Sequence, residues 1–439
     1  METTSAALEA ERGKALRGDV KRTAHGVWSP EPGREDPLAL LDEAAAERLQ
    51  YLVPIRNARM FDSAFAFFRG SAIIMAADLA PTPATGLRVQ ASGDAHCLNF
   101  GGFATPERNL IFDLNDFDET LPGPWEWDLK RLVTSFVIAA RHNGHPTRHV
   151  GAAALSAAFA YRERMRQLAR LPALEVWYGR LDATKILEAA KRAERRPPRG
   201  HMVAAAKIAE RVENDWRFRD DPPILFHSDE TERSGFDIEE ILREYQRSLS
   251  HDVALLFQRY RLVDIAIKIV GVGSVGTRCG IALYVADDHD VLLLQIKEAT
   301  RSVLERHFEP SVFASHGERV VRGQRLMQAA SDLFLGWASS GEHDFYVRQF
   351  KDMKASAELD GIDTYALREY GSYCGRALAA AHARSGSAAA IAGYLGRSDT
   401  FDRALVAFAT DYADQSLRDY ECFVAAVDDG RIEIAEDAA

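Results

Sequence analysis

Gly93-Asp94-Ala95-His96-Cys97-Leu98-Asn99 and, after a short insert, Phe112-Asp113-Leu114-Asn115-Asp116-Phe117-Asp118-Glu119 hold the residue types that phosphoryl transfer needs. A kinase-type transfer asks for a carboxylate to orient or deprotonate the attacking hydroxyl. It also needs an amide oxygen on magnesium a few residues on, and a second carboxylate on the metal from the next strand. Asp94, Asn99 and one of Asp113 and Asp116 stand in that order. Gly, Asp and Asn are also common turn formers, so the first segment alone says little. The second adds weight, because Asp113, Asp116, Asp118 and Glu119 repel one another unless a cation or proton intervenes. Asn99, Asp113, Asp116 and Asp118 are therefore the expected metal ligands.

A third segment, Gly271-Val272-Gly273-Ser274-Val275-Gly276, follows the apolar run Ile265 to Val270. A G-x-G-x-x-G is weak by itself, since dinucleotide folds, kinases and tight turns all use it. A dinucleotide fold needs a helix directly afterwards, whereas Thr277 to Ala286 continues as a β-rich run. The glycines are thus expected at a hairpin tip, where Gly271, Gly273, Ser274 and Gly276 would fold backbone N–H groups over phosphates. On the next strand comes Lys297, in Leu294-Gln295-Ile296-Lys297-Glu298-Ala299, where a kinase keeps its phosphate-gripping lysine. Read alone it is a surface lysine. Glu305, Glu309 and Glu318 all qualify as its partner, and Gln349 to Met353 is the expected hinge for an adenine ring.

These parts come in an unusual order. A kinase runs from glycine loop to lysine, hinge, helix, catalytic loop and metal loop, whereas here the last two come first. The segment Pro124 to Leu132 (PWEWDLKRL) resembles the helix after the metal loop in aminoglycoside-phosphotransferase-like enzymes. There an acid equivalent to Asp128 ties down the catalytic loop, although a helix N-terminal acid has a plain electrostatic reading too. Tyr365 to His382 resembles the helix that leads into the catalytic loop, yet no such loop follows it. Circular permutation accounts for both facts, and domains whose termini lie close together tolerate it.

Longer motifs carry a wider resemblance: FAFFRG, GDAHCLNFG, FDLNDFDETLPGPWEWDLKRL, VGVGSVGTRCG, QIKEA, GQRLMQAASDLFLGW and IAGYLGRSD. Through them the chain, from about Leu38 to Ala425, is identified as a member of the bacterial domain-of-unknown-function family 2252, which is similar to the protein-kinase-like superfamily. The resemblance implies a fold more than a reaction.

The elements that must position these residues fall into blocks. Residues 1–37 read as a loosely attached N-terminal arm ending in Ser29-Pro30-Glu31-Pro32-Gly33. Residues 38–250 read as a helical unit holding the catalytic and metal loops. Its helices are expected over Leu38 to Tyr51, Ser63 to Leu79 (with Asp62 or Ser63 as cap), Glu126 to Ala140, Ala152 to Arg170, Asp182 to Arg192 and Met202 to Trp216. Short strands lie between Arg88 and Leu114, a linker at Arg217 to Gly235, and a last helix from Ile238 to about Arg261. Residues 251–356 hold the strand-rich stretch, an antiparallel sheet with a helix inserted near Gly317 to Ala330. Residues 357–439 return to helices that complete the helical unit. The expected fold is therefore α+β: a bilobal, circularly permuted protein-kinase-like fold with a small antiparallel sheet lobe and a large helical lobe.

Bulk properties narrow the partners. The 439 residues carry a formal charge of −11, are 47% hydrophobic and 27% charged, and have four scattered cysteines. The acidic balance disfavours nucleic acid and anionic lipid, and the basic run Lys191 to Arg199 reads as a solvated surface. Cys97, Cys279, Cys374 and Cys422 suggest neither a zinc site nor disulfides, which suits a reducing cytoplasm. No signal peptide or membrane span is evident. The expected function is an ATP-dependent phosphotransferase using Mg2+ or Mn2+ on a small-molecule or protein hydroxyl. The alternatives are a nucleotide-binding pseudokinase-like module, a nucleotidyl transferase and, on the faint likeness of Gly93 to His96 to metal loops, a metallophosphoesterase. Arg56, Arg59 and Arg69 are cleft-lining candidates, although an exposed helix Arg is the commoner case.

Overall fold

In the computed structural model of the protein, residues 5–435 are described apart from 184–206, 213–214, 223, 228–236, 270, 272, 274, 288–289 and 351–354. Prolines, glycines and serines cut the N-terminal third into short helices: α1 Ala6–Ala15, α2 Pro37–Ala46, α3 Val53–Phe61, α4 Ala64–Gly70 and α5 Ala72–Leu79. Ser63 caps α4 by accepting from the Ala66 N–H, and the chain breaks again at Ser71. Four short strands follow, β1 Arg88–Ala91, β2 Phe100–Ala104, β3 Leu110–Leu114 and β4 Leu121–Pro124, and then three helices, α6 Trp125–His142, α7 Ala152–Leu168 and α8 Ala173–Tyr178. β1 pairs with β4 and β2 with β3, so both acid-rich segments are turns leaving short antiparallel pairs.

The middle of the chain departs from the helical expectation. Ala209–Val212 (β5) and Asp215–Phe218 (β6) form an antiparallel hairpin where a helix to Trp216 was expected. Val212, Trp216 and Phe218 are residues that prefer a pleated surface. The expected linker supplies β7, Leu225–Phe226, as a sheet edge. The expected helix from Ile238 is split into α9 Ile238–Tyr245, a 3-10 turn Gln246–Ser248 and α10 His251–Phe257. There the Ser248 hydroxyl donates to the Tyr245 carbonyl and accepts from the Trp337 N–H, competing with the helix ladder. The basic run and most of the expected helix Asp182 to Arg192 lie outside the described residues.

The strand-rich stretch forms β8 Arg261–Lys268, β9 Cys279–Asp287, β10 Asp290–Glu298, α11 His316–Met327, β11 Gly336–Ser340 and β12 His343–Gln349. With β7 these strands make one antiparallel sheet in the order β11-β12-β10-β9-β8-β7, and the separate β13, Ala355–Ser356, pairs with β2. The pleat sorts its faces: Ala282, Tyr284, Leu292, Leu294 and Ile296 pack under α9 and α10, while Ile281, Leu283, Val285, Val291 and Leu293 face the other way. Period two therefore sends Gln295 and Lys297 to the second face. The chain closes with α12 Thr364–Ser385, α13 Ala388–Leu395 and α14 Thr400–Asp428, which share the largest core with α6 and α7. The fold is thus α+β with several small antiparallel sheets.

The N-terminal arm is docked rather than loose. Gly13 and Gly393 allow α1 and α13 to touch backbone to backbone. His25 is buried with a ring nitrogen 2.8 Å from the Tyr394 hydroxyl, and the Arg34 guanidinium bridges Asp78 and Asp419. Among the described residues no helix is long and apolar enough to cross a membrane. All four cysteines are free.

Candidate functional site

One cavity, of about 170 Å³, joins the helical part to the sheet. Arg69, Asp94, His96, Asn99 and Asp116 form one wall, and Gly271, Gly273, Gln295, Lys297 and Arg348 the other.

The first wall is positioned by a single helix face. Asp128, Arg131 and Ser135 follow each other along α6 at helical spacing and track the loop beneath them point by point. The Asp128 carboxylate accepts from the Ser92 N–H at 2.7 Å and the Gly93 N–H at 2.9 Å. Arg131 Nε donates to Asp94 Oδ1 at 2.9 Å, and the Ser135 hydroxyl accepts from the Cys97 N–H at 2.9 Å. Behind them, His382 Nε2 lies 3.0 Å from Asp128 and its Nδ1 2.9 Å from the Tyr161 hydroxyl. Gly93 is obligatory at φ +79°, where a Cβ would meet the Glu119 carbonyl oxygen at 2.5 Å.

Within the loop each side chain has one end fixed and one end turned elsewhere. Arg131 holds Asp94 Oδ1, while Oδ2 lies 3.8 Å from His96 Nε2. The Asn99 amide donates to the Asp94 carbonyl at 2.6 Å, which leaves its oxygen pointing away. His96 Nδ1 accepts from the Leu98 N–H, and burial lowers the ring pKa to about 3. The imidazole is therefore neutral with its proton on Nε2.

The four acids of the second segment part company. Only Asp116 faces the cavity; burial first, then the Asp118 charge, raises its carboxyl above the usual range. Asp113 lies elsewhere: it is buried, accepts from the Ala329 and Leu114 N–H groups, and stands 4.0 Å from Arg384. Asp118 pairs with Lys297 at 2.7 Å and accepts from the Tyr346 hydroxyl at 2.7 Å. Burial opposes its ionisation most strongly, but Lys297, Tyr346 and Arg348 together outweigh it and hold the pKa down at about 2. Glu119 accepts from the Val303 N–H, and burial pushes its pKa up to about 7.

The lysine partner is thus Asp118, 179 residues away, and none of the three expected glutamates. Glu305 lies beside Arg301 and His316, Glu309 pairs with Arg88, and Glu318 pairs with Arg322 on α11. The α11 residue that reaches the acidic segment is Arg319, which donates to the Asp118, Thr120 and Thr300 carbonyls.

The glycines divide as well. Gly271 and Gly273 sit at the tip of the β8–β9 hairpin, and a Cβ on either would meet nothing within 4 Å. Gly276 instead packs on Arg48 at φ +94°, and its carbonyl accepts from the Leu49 N–H. Ser274 and the expected hinge beyond Phe350 lie outside the described residues. Arg348, absent from the sequence reading, crosses from the sheet to donate to Gln295 Oε1 and to the Asn115 carbonyl. Its signal was present: on antiparallel β12, Arg348 stands opposite Gln295 in register. Arg69 lines the cavity, whereas Arg56 is buried on the Gly70 carbonyl.

Among the described residues, no group of three or more His, Cys, Asp or Glu side chains is arranged to hold a metal by itself. No curated protein and no solved structure matches the chain. A family described as "Uncharacterized protein conserved in bacteria (DUF2252)" matches residues 48–426, and the chain belongs to that family.

Proposed function

We propose that the cavity is the phosphate end of an ATP site and that the protein is a kinase-like phosphotransferase. The observation that carries this reading is the convergence of Asp94, Asn99 and Asp116 with Gly271, Gly273 and Lys297 on one cavity, from segments far apart in the chain. Glycine hairpin, lysine strand, helix α11, a second hairpin and helix α12 follow one another as the parts of a kinase do. Support for a permuted chain comes from the end of α12. The Gln90 N–H donates to Ser385 Oγ, and a Cβ on Gly386 would meet Val89 and the Arg88 carbonyl. The end of α12 thus lies against the strand that runs into Asp94, as a bilobal kinase with its termini moved would have it.

In this reading Lys297 grips the nucleotide phosphates, and Gly271 and Gly273 leave room for them. Asp94 Oδ2 takes the acceptor hydroxyl. Its oxygen attacks the γ-phosphorus, the new O–P bond replaces the bond to the β-phosphate oxygen, ADP leaves, and the hydroxyl proton passes to Asp94. The oxygen donors suit magnesium or manganese: Asn99 Oδ1 and the Asp116 carboxylate would hold it jointly with substrate phosphates. The raised Asp116 carboxyl fits, since a cation would relieve both its burial and its repulsion from Asp118. Bound there, the ion would neutralise charge on the phosphates.

Incubation with γ-labelled and with α-labelled ATP, magnesium and a bacterial extract tests the proposal. Transfer of the γ label, lost in Lys297→Met, is the expected result. Transfer of the α label alone would mean nucleotidyl transfer, and ATP binding with no transfer a pseudokinase-like module.

A further inference from the structure

Four cations gather at or behind the cavity, and three of them are engaged. Lys297 is paired with Asp118, Arg131 with Asp94, and Arg348 donates to Gln295 and Asn115. Arg69 differs. Its Nε is buried without a hydrogen-bond partner, and among the described residues its guanidinium forms no ion pair. Burial outweighs the attraction of the Asp94 and Asp360 carboxylates and lowers its pKa.

Leaving a guanidinium in a half-buried cavity without a counter-charge is costly, and such groups are ordinarily paired. No stabilising contact among the described residues explains the arrangement, so the counter-charge comes from a ligand. Location decides which ligand. Arg69 lines the cavity from the helical part, where the Asp94 charge acts on it, whereas the glycines and Lys297 come from the sheet. Those sheet groups already serve the nucleotide phosphates, whereas Asp94 serves the acceptor.

We infer that Arg69 docks an anionic substituent of the acceptor, a carboxylate or phosphate carried beside the hydroxyl that Asp94 orients. This rests on the phosphotransferase reading above. The planar fork of a guanidinium matches either anion through two parallel N–H donors, which would set the acceptor's orientation as well as its affinity. Neutral His96, with its proton on Nε2, supplies a further donor on the same wall.

The test is binding of glycerol, glycerate and inorganic phosphate to the full chain loaded with magnesium and a non-hydrolysable ATP analogue, read by calorimetry or ligand-observed NMR. Glycerate and phosphate should bind and glycerol should not. Arg69→Gln should weaken both anions roughly 10–100-fold and leave affinity for the ATP analogue unchanged, while Arg69→Lys restores part of the loss. Because Arg69 has no ion-pair partner among the described residues, Arg69→Gln should keep the melting temperature, which verifies folding. Equal binding of glycerol and the anions, or of none of the three, overturns the inference and leaves the phosphotransferase reading standing. An Arg69→Gln defect in binding the ATP analogue itself also overturns it, assigning Arg69 to the nucleotide. Failure of the wild-type protein to bind ATP at all would sink the phosphotransferase reading instead, and this inference with it.

Discussion

The loop that carries Asp94 is tied to α6 at Ser92, Gly93, Asp94 and Cys97, whereas Gly271 and Gly273 across the cavity have open space where side chains would be. One wall is organised before any ligand arrives, and the other offers bare backbone. Preorganised donors and acceptors suit a centre where charge must be met at fixed distances, while a bare hairpin suits backbone that folds over phosphates. Glycine has opposite reasons on the two sides. Gly93 is required by the protein itself, but nothing among the described residues requires Gly271 or Gly273.

The sharpest break of this comparison is at Asp94. Asp94→Ala should lower kcat roughly 10²–10⁴-fold while ATP affinity stays near the wild-type value, as kinetics and equilibrium binding together would show. Equal loss of both would make Asp94 structural. Next, Gly93→Ala should destabilise the fold by about 2–4 kcal/mol through clash and strain. Gly271→Ala and Gly273→Ala should instead stay within about 0.5 kcal/mol of wild type and weaken ATP roughly tenfold. Urea titration and nucleotide binding on the three variants separate the two kinds of glycine.

A smaller effect tests the bridge between the walls. Asp118→Asn leaves the buried Lys297 ammonium without its carboxylate and should cost about 2–3 kcal/mol, whereas Lys297→Met leaves Asp118 its bond from Tyr346 and should cost less. A larger loss in the lysine variant would contradict the pairing. The smallest effect is a pH slope. Glu119 has an ordinary pKa of 4.5 and is raised to about 7 in the folded protein, so the folded state binds its proton more tightly. The stability this adds is fully present below about pH 4.5 and is lost as the pH rises to about 7. Urea midpoints for Glu119→Gln should accordingly vary less than wild type across that window.

Much of the scaffold was legible because its signals are local. The apolar run, the glycines and the β-rich continuation together predict a hairpin tip, and β8 and β9 form it. A cap at Asp62 or Ser63 was legible, and Ser63 makes the bond; resemblance offered Asp128 as the anchor of the loop beside a plain helix N-terminal acid, and Asp128 accepts from that loop. The hairpin of β5 and β6 was misread because helical apolar spacing outweighed the β preference of Val212, Trp216 and Phe218. The arm before Leu38 was misjudged because its docking depends on glycines in α1 and α13 that meet only in three dimensions.

Composition, turn chemistry and motif spacing alone determined the α+β character, the order of the glycine, lysine and acid segments and the identity of most residues that face the cavity, while resemblance of the longer motifs supplied the family. These are properties of short windows, where backbone preference and side-chain period act directly. Only the tertiary structure decided that Asp118 rather than a glutamate holds Lys297, that Asp113 is spent on Ala329 and Arg384, that Gly276 serves Arg48, and that Arg69 is left unpaired. Each of those outcomes depends on which distant side chain arrives at hydrogen-bonding distance, and packing sets that, since residues of equal local propensity compete for the same partner.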